Sequence, residues 1–331
     1  MQLTQKKSRR GDLLTAAAVA MLLAVMAVLL YTGSLTRQVT NMLIPTAVYI
    51  VMAVSLNLVV GLLGELSLGH AGFMSVGLFS GCLVAIALTN TALPLMVRLP
   101  VSMLAGGLTA AVFGLLVGLP TLRLRGDYLA IVTLACGEII KNIITNLNIT
   151  GGALGLDTSS IYAGAKDLLP YGAVLVLLTV AVMLNLKRSK YGRAIMAIRD
   201  NRIAAESVGL SVTRYKLAVF VIAAFFAGCA GVLYGHSLAN IKAAAFDYNM
   251  SIEILVIVVL GGMGSVPGSV VSAIVLTVLP EALREVADYR MLVYAVVLIL
   301  VMQATNNPAM KRFFGAACKS LTPKRKERAA L

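Results

Sequence analysis

The chain has 331 residues, 59% hydrophobic and only 13% charged, against about 25% charged in an ordinary soluble domain. Apolar runs of about 20 residues follow one another with short polar breaks, which excludes a water-soluble fold and predicts an all-α, polytopic transmembrane bundle. The formal net charge of +14 does not imply nucleic acid, because the basic residues gather between apolar runs, where cytoplasmic loops would lie.

In chain order, Lys6, Lys7, Arg9 and Arg10 precede an apolar run from Leu13 to Tyr31. That run exceeds the ~7 to 15 residues of a signal-peptide core and is not followed by a persuasive small-x-small cleavage site, so it is predicted to be a first span. Further spans are expected at about 39–62, 66–88, 100–119, 128–147, 170–186, 216–237, 251–263, 266–283 and 290–306. This gives eight to ten spans, some of them short or broken. The expected organisation is a basic segment 1–12, a transmembrane domain 13–310 containing a polar loop 187–216, and a basic tail 311–331. With the N-terminus in the cytoplasm, 21 basic residues fall on that side and 6 on the other, with Lys141 inside a span, so both termini are expected to be cytoplasmic. Tryptophan is absent, and Tyr31, Tyr128, Tyr171, Tyr215, Tyr234, Tyr248 and Tyr289 near the span ends supply the interfacial aromatics. Cys82, Cys136, Cys229 and Cys318 have no CxxC spacing and are read as small apolar residues, with neither disulfide nor metal site expected.

Two apolar stretches are interrupted by glycine. In Val60–Gly77, glycines stand at 61, 64, 69, 72 and 77; in Val258–Ser269, at 261, 262, 264 and 268. Glycine in membrane helices most often marks close packing. Paired broken segments in the two halves of a chain also mark a substrate path, and they leave an inverted internal repeat open. The path candidates are Glu65, Ser67, Gly69, His70 and Gly72 in the first stretch, Gly261, Gly262 and Gly264 in the second, and Thr150, Gly151 and Gly152 between them in sequence. His70 has no nearby metal-ligand set, so its ordinary reading is a local hydrogen-bonding residue. Thr150, Gly151 and Gly152 open the longest outer loop, where the glycines suit a tight turn or a close approach to a ligand or partner. Glu138 and Lys141 lie three apart on one helical face and are read first as a self-neutralising pair, the alternative being a proton relay.

The polar run Lys187–Lys216 holds eight basic residues against Asp200 and Glu206. Gly192 and Gly209 bound a predicted helix in which Ala194, Ala197, Ile198, Ala205 and Val208 share a stripe opposite Arg199, Arg202 and Glu206. A mostly alanine stripe suits a shallow protein groove better than lipid. No phosphate-binding loop, HExxH helix or nucleophile elbow occurs, so nucleotide and hydrolytic chemistry would belong to another chain.

Taken together, Ser55–Phe73, Leu124–Leu134 followed by Gly137, Glu138 and Ile139, Thr150–Gly152, Ser189–Asn201 running on to Ala204–Leu210, and Val258–Gly268 resemble the permease subunits of ABC importers for branched-chain amino acids. The resemblance covers about Asn41 to Met310. It departs at Glu65, where glutamine is common, and at Ala153 and Leu154, where Pro-Asn or similar follows the double glycine. It implies a bacterial inner-membrane importer built from this chain, a second related permease, two cytoplasmic ATPase subunits that bind ATP and Mg, and an external solute-binding protein. No cofactor is implied in this chain, and no partner beyond these apart from membrane lipid. It also implies that Arg193, Ala194, Ile198, Arg199, Asp200, Ala205, Glu206 and Gly209 belong to the element that docks on an ATPase subunit. Other solutes such as urea or short amides, an ion-coupled carrier using Glu138 and Lys141, and an inert scaffold for a sister permease are the alternatives.

Overall fold

The computed structural model describes residues 2–33, 36–89, 94–124, 126–282 and 299. The fold below is that of the compact unit Met1–Val278. In order its helices are α1 (Gln2–Tyr31), α2 (Arg37–Asn57), a π-helical turn at Leu58–Leu63, α3 (His70–Thr89), α4 (Leu95–Thr121), α5 (Asp127–Asn146), α6 (Ala165–Arg188), α7 (Lys190–Asp200), α8 (Arg202–Ser207), α9 (Val212–His236), α10 (Tyr248–Gly261) and α11 (Val266–Ala282). Among the described residues seven segments are long and apolar enough to cross a membrane, α10 counting from Ala243, and the apolar parts of α1 and α11 are shorter. The all-α polytopic bundle expected from the sequence is thus observed. The expected span at 290–306, apart from Ile299, and the tail 311–331 lie outside the described residues.

α2 is apolar on every side and sits at the centre, buried almost continuously from Leu43 to Asn57, as a helix without a polar face must be. It packs against α6, α9 and α10. α3, α4 and α9 form a second cluster through small residues. A Cβ at Gly77 would run into the Cα of Gly228, and one at Gly106 into the carbonyl of Gly77. Backbones meet here without intervening side chains, which in a membrane replaces the hydrophobic drive that lipid cannot supply. α4 turns Leu104, Leu108, Val112 and Leu116 outward, with no charged residue between Arg98 and Thr121, the pattern of a lipid-facing helix.

Helix direction alternates, so one face carries the 187–216 loop and the opposite face carries the α5–α6 and α9–α10 connections. On that far face β1 (Leu156–Asp157) pairs antiparallel with β2 (Asn240–Ile241), Leu156 opposite Ile241. The amides of Thr158 and Ala163 donate to the carbonyls of Ala239 and His236 at 2.9 and 3.0 Å, which fastens the two connections together. α6 starts five residues earlier than the sequence suggests, because Pro170 is tolerated near its beginning. Proline lacks the amide that would donate to the Lys166 carbonyl, and Tyr31 Oη donates to that carbonyl instead at 3.2 Å.

Replacing Gly77 by leucine forces α3 and α9 apart. We expect a loss of about 2 kcal/mol or more, the scale of core overpacking, read as a lower thermal midpoint of the detergent-solubilised chain, whereas Leu108→Ala on the outward face of α4 should leave the midpoint nearly unchanged.

Candidate functional site

The first glycine-broken stretch is the loop-face end of α2. Its last turn widens into the π-helical segment Leu58–Leu63 and stops at Gly64, whose φ of 77° is a left-handed conformation suited to glycine. Residues 64–69 then run without regular structure to His70, the first residue of α3. The second stretch joins α10 to α11 on the same face, turning at Gly262 and Gly264 with φ of 87° and 82°. Segments related by inverted topology would break on opposite faces. These two break on one face, so inversion does not relate them.

The two breaks meet at Asn57. Its Oδ1 accepts from the amide of Gly264 at 2.7 Å, and its Nδ2 donates to Ser269 Oγ at 2.8 Å and to the Ser265 carbonyl at 3.2 Å. Asn57 is fully buried, and the Gly264 amide fixes which end of its side-chain amide is oxygen. Gly61 permits the approach, since a Cβ there would overlap Asn57 Oδ1 and the Gly264 nitrogen.

Three basic residues from the polar loop and its flanks hold this junction. Lys187 in the last turn of α6 donates from Nζ to the Gly264 carbonyl at 2.9 Å. Arg199 of α7 donates from Nη1 to the Gly61 carbonyl at 3.0 Å, and its aliphatic stem covers Gly64. Lys216 of α9 pairs with Glu65, both largely buried. The charge bias of the run, read from sequence as a topological signal, therefore also supplies specific donors to the breaks. Asn57, Lys187 and Lys216 are the residues that sequence reasoning missed. The available signal was a polar Asn57 inside an otherwise apolar span.

The loop itself differs from the single helix expected between Gly192 and Gly209. Ser189 caps α7 by accepting from the Gly192 amide at 3.0 Å. At Asn201 the backbone becomes extended, and its side chain caps α8 by accepting from the Ala204 amide at 3.1 Å. Asparagine competes for backbone donors in this way, which breaks the helix that the apolar pattern alone predicts. The expected stripe is divided as a result. Ile198 and Ala205 are buried with Val212 in a small core against Leu210 and Tyr215, whereas Ala197 and Val208 are exposed. Arg193, Asp200 and Glu206 are exposed and Ala194 is half-buried. Asp200 pairs with Arg199, and Arg202 pairs with Glu206 across one turn at 2.8 Å. Gly209 ends α8 with φ of 85°, as the sequence suggests. Between the first break and the loop lies a groove of about 370 Å³, walled by Gly64 and Glu65 on one side and by Arg202, Ile203 and Glu206 on the other.

The other path candidates fall in different places. Ser67, Gly69, His70 and Gly72 pack inside the bundle. The Leu68 amide donates to Thr133 Oγ1 at 3.1 Å, and Gly69 and Gly72 abut the backbone of Thr133 and Gly137 on α5. Ser55 Oγ lies 3.0 Å from the Met52 carbonyl and is hydrogen-bonded to His70 Nε2 at 2.8 Å. His70 is thus a buried hydrogen-bonding residue. Ser67 Oγ is buried without a partner. Thr150, Gly151 and Gly152 lie on the far face, away from the breaks. Thr150 Oγ1 closes the end of α5 by donating to the carbonyls of Ile144 and Leu147 at 2.6 and 2.8 Å. Gly261, by contrast, packs on Gly268, where the two halves of the second break fold together. Glu138 and Lys141 pair with each other, and Glu138 Oε1 also accepts from the Tyr248 amide at 2.9 Å, at the start of α10.

Removing one member of a largely buried ion pair leaves the other without compensation, at a cost of about 3 kcal/mol or more. Lys216→Met should therefore lower the thermal midpoint markedly, and Glu65→Gln should do the same. The double variant should recover most of the loss, a coupling measurable in a double-mutant cycle.

The sequence matches the family described as "Branched-chain amino acid transport system / permease component" over residues 38–302. It is 37% identical to the high-affinity branched-chain amino acid transport system permease protein LivM of Salmonella typhimurium and 38% identical to LivM of Escherichia coli, each alignment covering 78% of this chain and 66% of the relative. It is 23% identical to the permease protein LivH of Escherichia coli, over 80% of this chain and 92% of that one. The chain thus spans just under two thirds of the length of the LivM relatives. No solved structure matches. With four fifths of its length inside the matched region and the glycine breaks within it, the chain belongs to the family of permease components of branched-chain amino acid transport systems.

Proposed function

We propose that this chain is one of two related permease subunits of an ATP-driven importer in the bacterial cytoplasmic membrane. It forms part of the path for branched-chain amino acids delivered by an external solute-binding protein. The family match over residues 38–302 carries this reading. Similarity to both LivM and LivH, two differently named permeases, supports the pairing with a sister chain. The sequence has no phosphate-binding loop, so ATP and Mg would be held by two cytoplasmic ATPase subunits. The excess of basic residues on the loop face supports a cytoplasmic placing of that face and of both termini.

The loop supplies a docking surface different in detail from the stripe expected from sequence. Ile198 and Ala205 stabilise the α7–α8 turn from beneath, while Ile203, in the groove wall, and Val208 are each 80% exposed. These two exposed aliphatic side chains and the exposed charges of Arg193, Asp200 and Glu206 on the same loop offer the mixture of apolar and charged groups that protein interfaces use. Transport then proceeds by alternating access: closure of the ATPase pair displaces the loop, and the helices open to one side at a time.

Reconstitution of the chain with its sister permease, ATPase subunits and binding protein in proteoliposomes should give ATP-dependent uptake of leucine, isoleucine or valine. Uptake by this chain alone under an ion gradient would overturn the reading in favour of an ion-coupled carrier, and ATP-driven uptake of urea or amides but not of these amino acids would overturn the cargo. Ile203→Glu and Val208→Glu should each reduce uptake about tenfold, the scale of losing one interface anchor, and reduce ATPase co-purification without changing the thermal midpoint of the isolated chain. Ile198→Glu should instead lower that midpoint.

A further inference from the structure

We propose that Lys187, Arg199 and Asn57 are positioning residues forming a mechanical linkage that delivers displacement of the cytoplasmic loop to both glycine breaks at once. The inference rests on the reading of the chain as an ATP-driven permease and goes beyond it by naming how the motion enters the bundle. The α7 helix reaches the first break through Arg199 Nη1 on the Gly61 carbonyl at 3.0 Å. The end of α6, immediately before α7, reaches the second through Lys187 Nζ on the Gly264 carbonyl at 2.9 Å. Asn57 joins the breaks by three hydrogen bonds, to Gly264, Ser265 and Ser269.

The attachment points are backbone carbonyls beside positions where rotation is sterically cheap. Gly64, Gly262 and Gly264 have positive φ and no Cβ to resist a change of ψ. Helical backbone elsewhere is locked by its own ladder, so a pull applied at Gly61 and Gly264 concentrates in the turns. Both attachments are charge-assisted donors, stronger than neutral hydrogen bonds. Because Asn57 makes bonds to the second break from the last residue of α2, neither break can shift without stretching or remaking those bonds. The two therefore respond as a unit, a discrete rearrangement rather than a continuous one.

A static brace would use the same bonds, and the two roles separate experimentally. In the assembled importer in proteoliposomes, Arg199→Met and Lys187→Met are measured for ATPase co-purification, ATP hydrolysis, amino acid uptake and thermal midpoint. The linkage predicts normal assembly and hydrolysis within about twofold of wild type, with uptake per ATP falling on the order of tenfold, the middle of the usual range of coupling factors. Arg199→Lys, which can still donate to one carbonyl, should restore part of it. A second readout is the reactivity of a cysteine at Met263, which is 64% exposed in the second break, toward a membrane-impermeant thiol reagent. Its rate should change on trapping the ATPase with ATP and vanadate, and the change should disappear in Lys187→Met. Unchanged uptake per ATP in both variants overturns the linkage, as does loss of assembly together with hydrolysis, which would assign the residues to docking, or a parallel fall of stability and both activities, which would make them braces. Absence of ATP-driven uptake in the wild-type complex would overturn the importer reading and the linkage with it, whereas a coupled wild type with equally coupled variants overturns the linkage alone.

Discussion

A helix that stops inside a membrane bundle leaves carbonyls and amides that lipid cannot satisfy, so every interruption must find partners within the protein. The junction at Asn57 is where this chain meets that constraint. One side-chain amide answers the Gly264 amide, the Ser265 carbonyl and the Ser269 hydroxyl, and two basic residues answer the Gly61 and Gly264 carbonyls. The buried placement of α2, the close approach of Gly61 to Gly264 and the packing of α7 against the π-helical turn all follow from bringing these groups within reach of one another.

The Glu65–Lys216 pair belongs to the same arrangement. The Glu65 carboxylate has a specific partner in Lys216 near the start of α9. Buried pairs of this kind add little stability over apolar packing, yet breaking one is costly. Their effect is to fix where two segments sit. Here α9 and the 64–69 connection are held in register by one contact.

Long apolar runs made the bundle legible, because span length and charge bias act over many residues and survive local error. The glycine breaks were legible too, as interruptions that no continuous helix would choose. The meeting of the two breaks was not. It depends on a contact between Asn57 and Gly264, 207 positions apart, and nothing in the spacing of either stretch signals it. The loop helix was half legible: Gly209 ends it as expected, but Asn201 divides it by capping a new turn, an outcome in which side-chain hydrogen bonding overrides apolar periodicity. That division moved Ile198 and Ala205 inward and left Ile203 and Val208 outside. Thr150 to Gly152 joined the path candidates because glycine clusters look alike in sequence; they close the outer loop where the span order put them, on the face opposite the breaks.

The seam of Gly77, Gly106 and Gly228 carries a consequence for how such a chain can change shape. Three backbones in direct contact have no side chains that can re-pack to absorb a sliding step, so displacement of α3 against α4 or α9 would cost many contacts together. That trio is a chassis. Compliance is left to the glycine turns at its edge, and a substitution that loosened the chassis would let the applied force dissipate there as aimless deformation instead of arriving as a stroke.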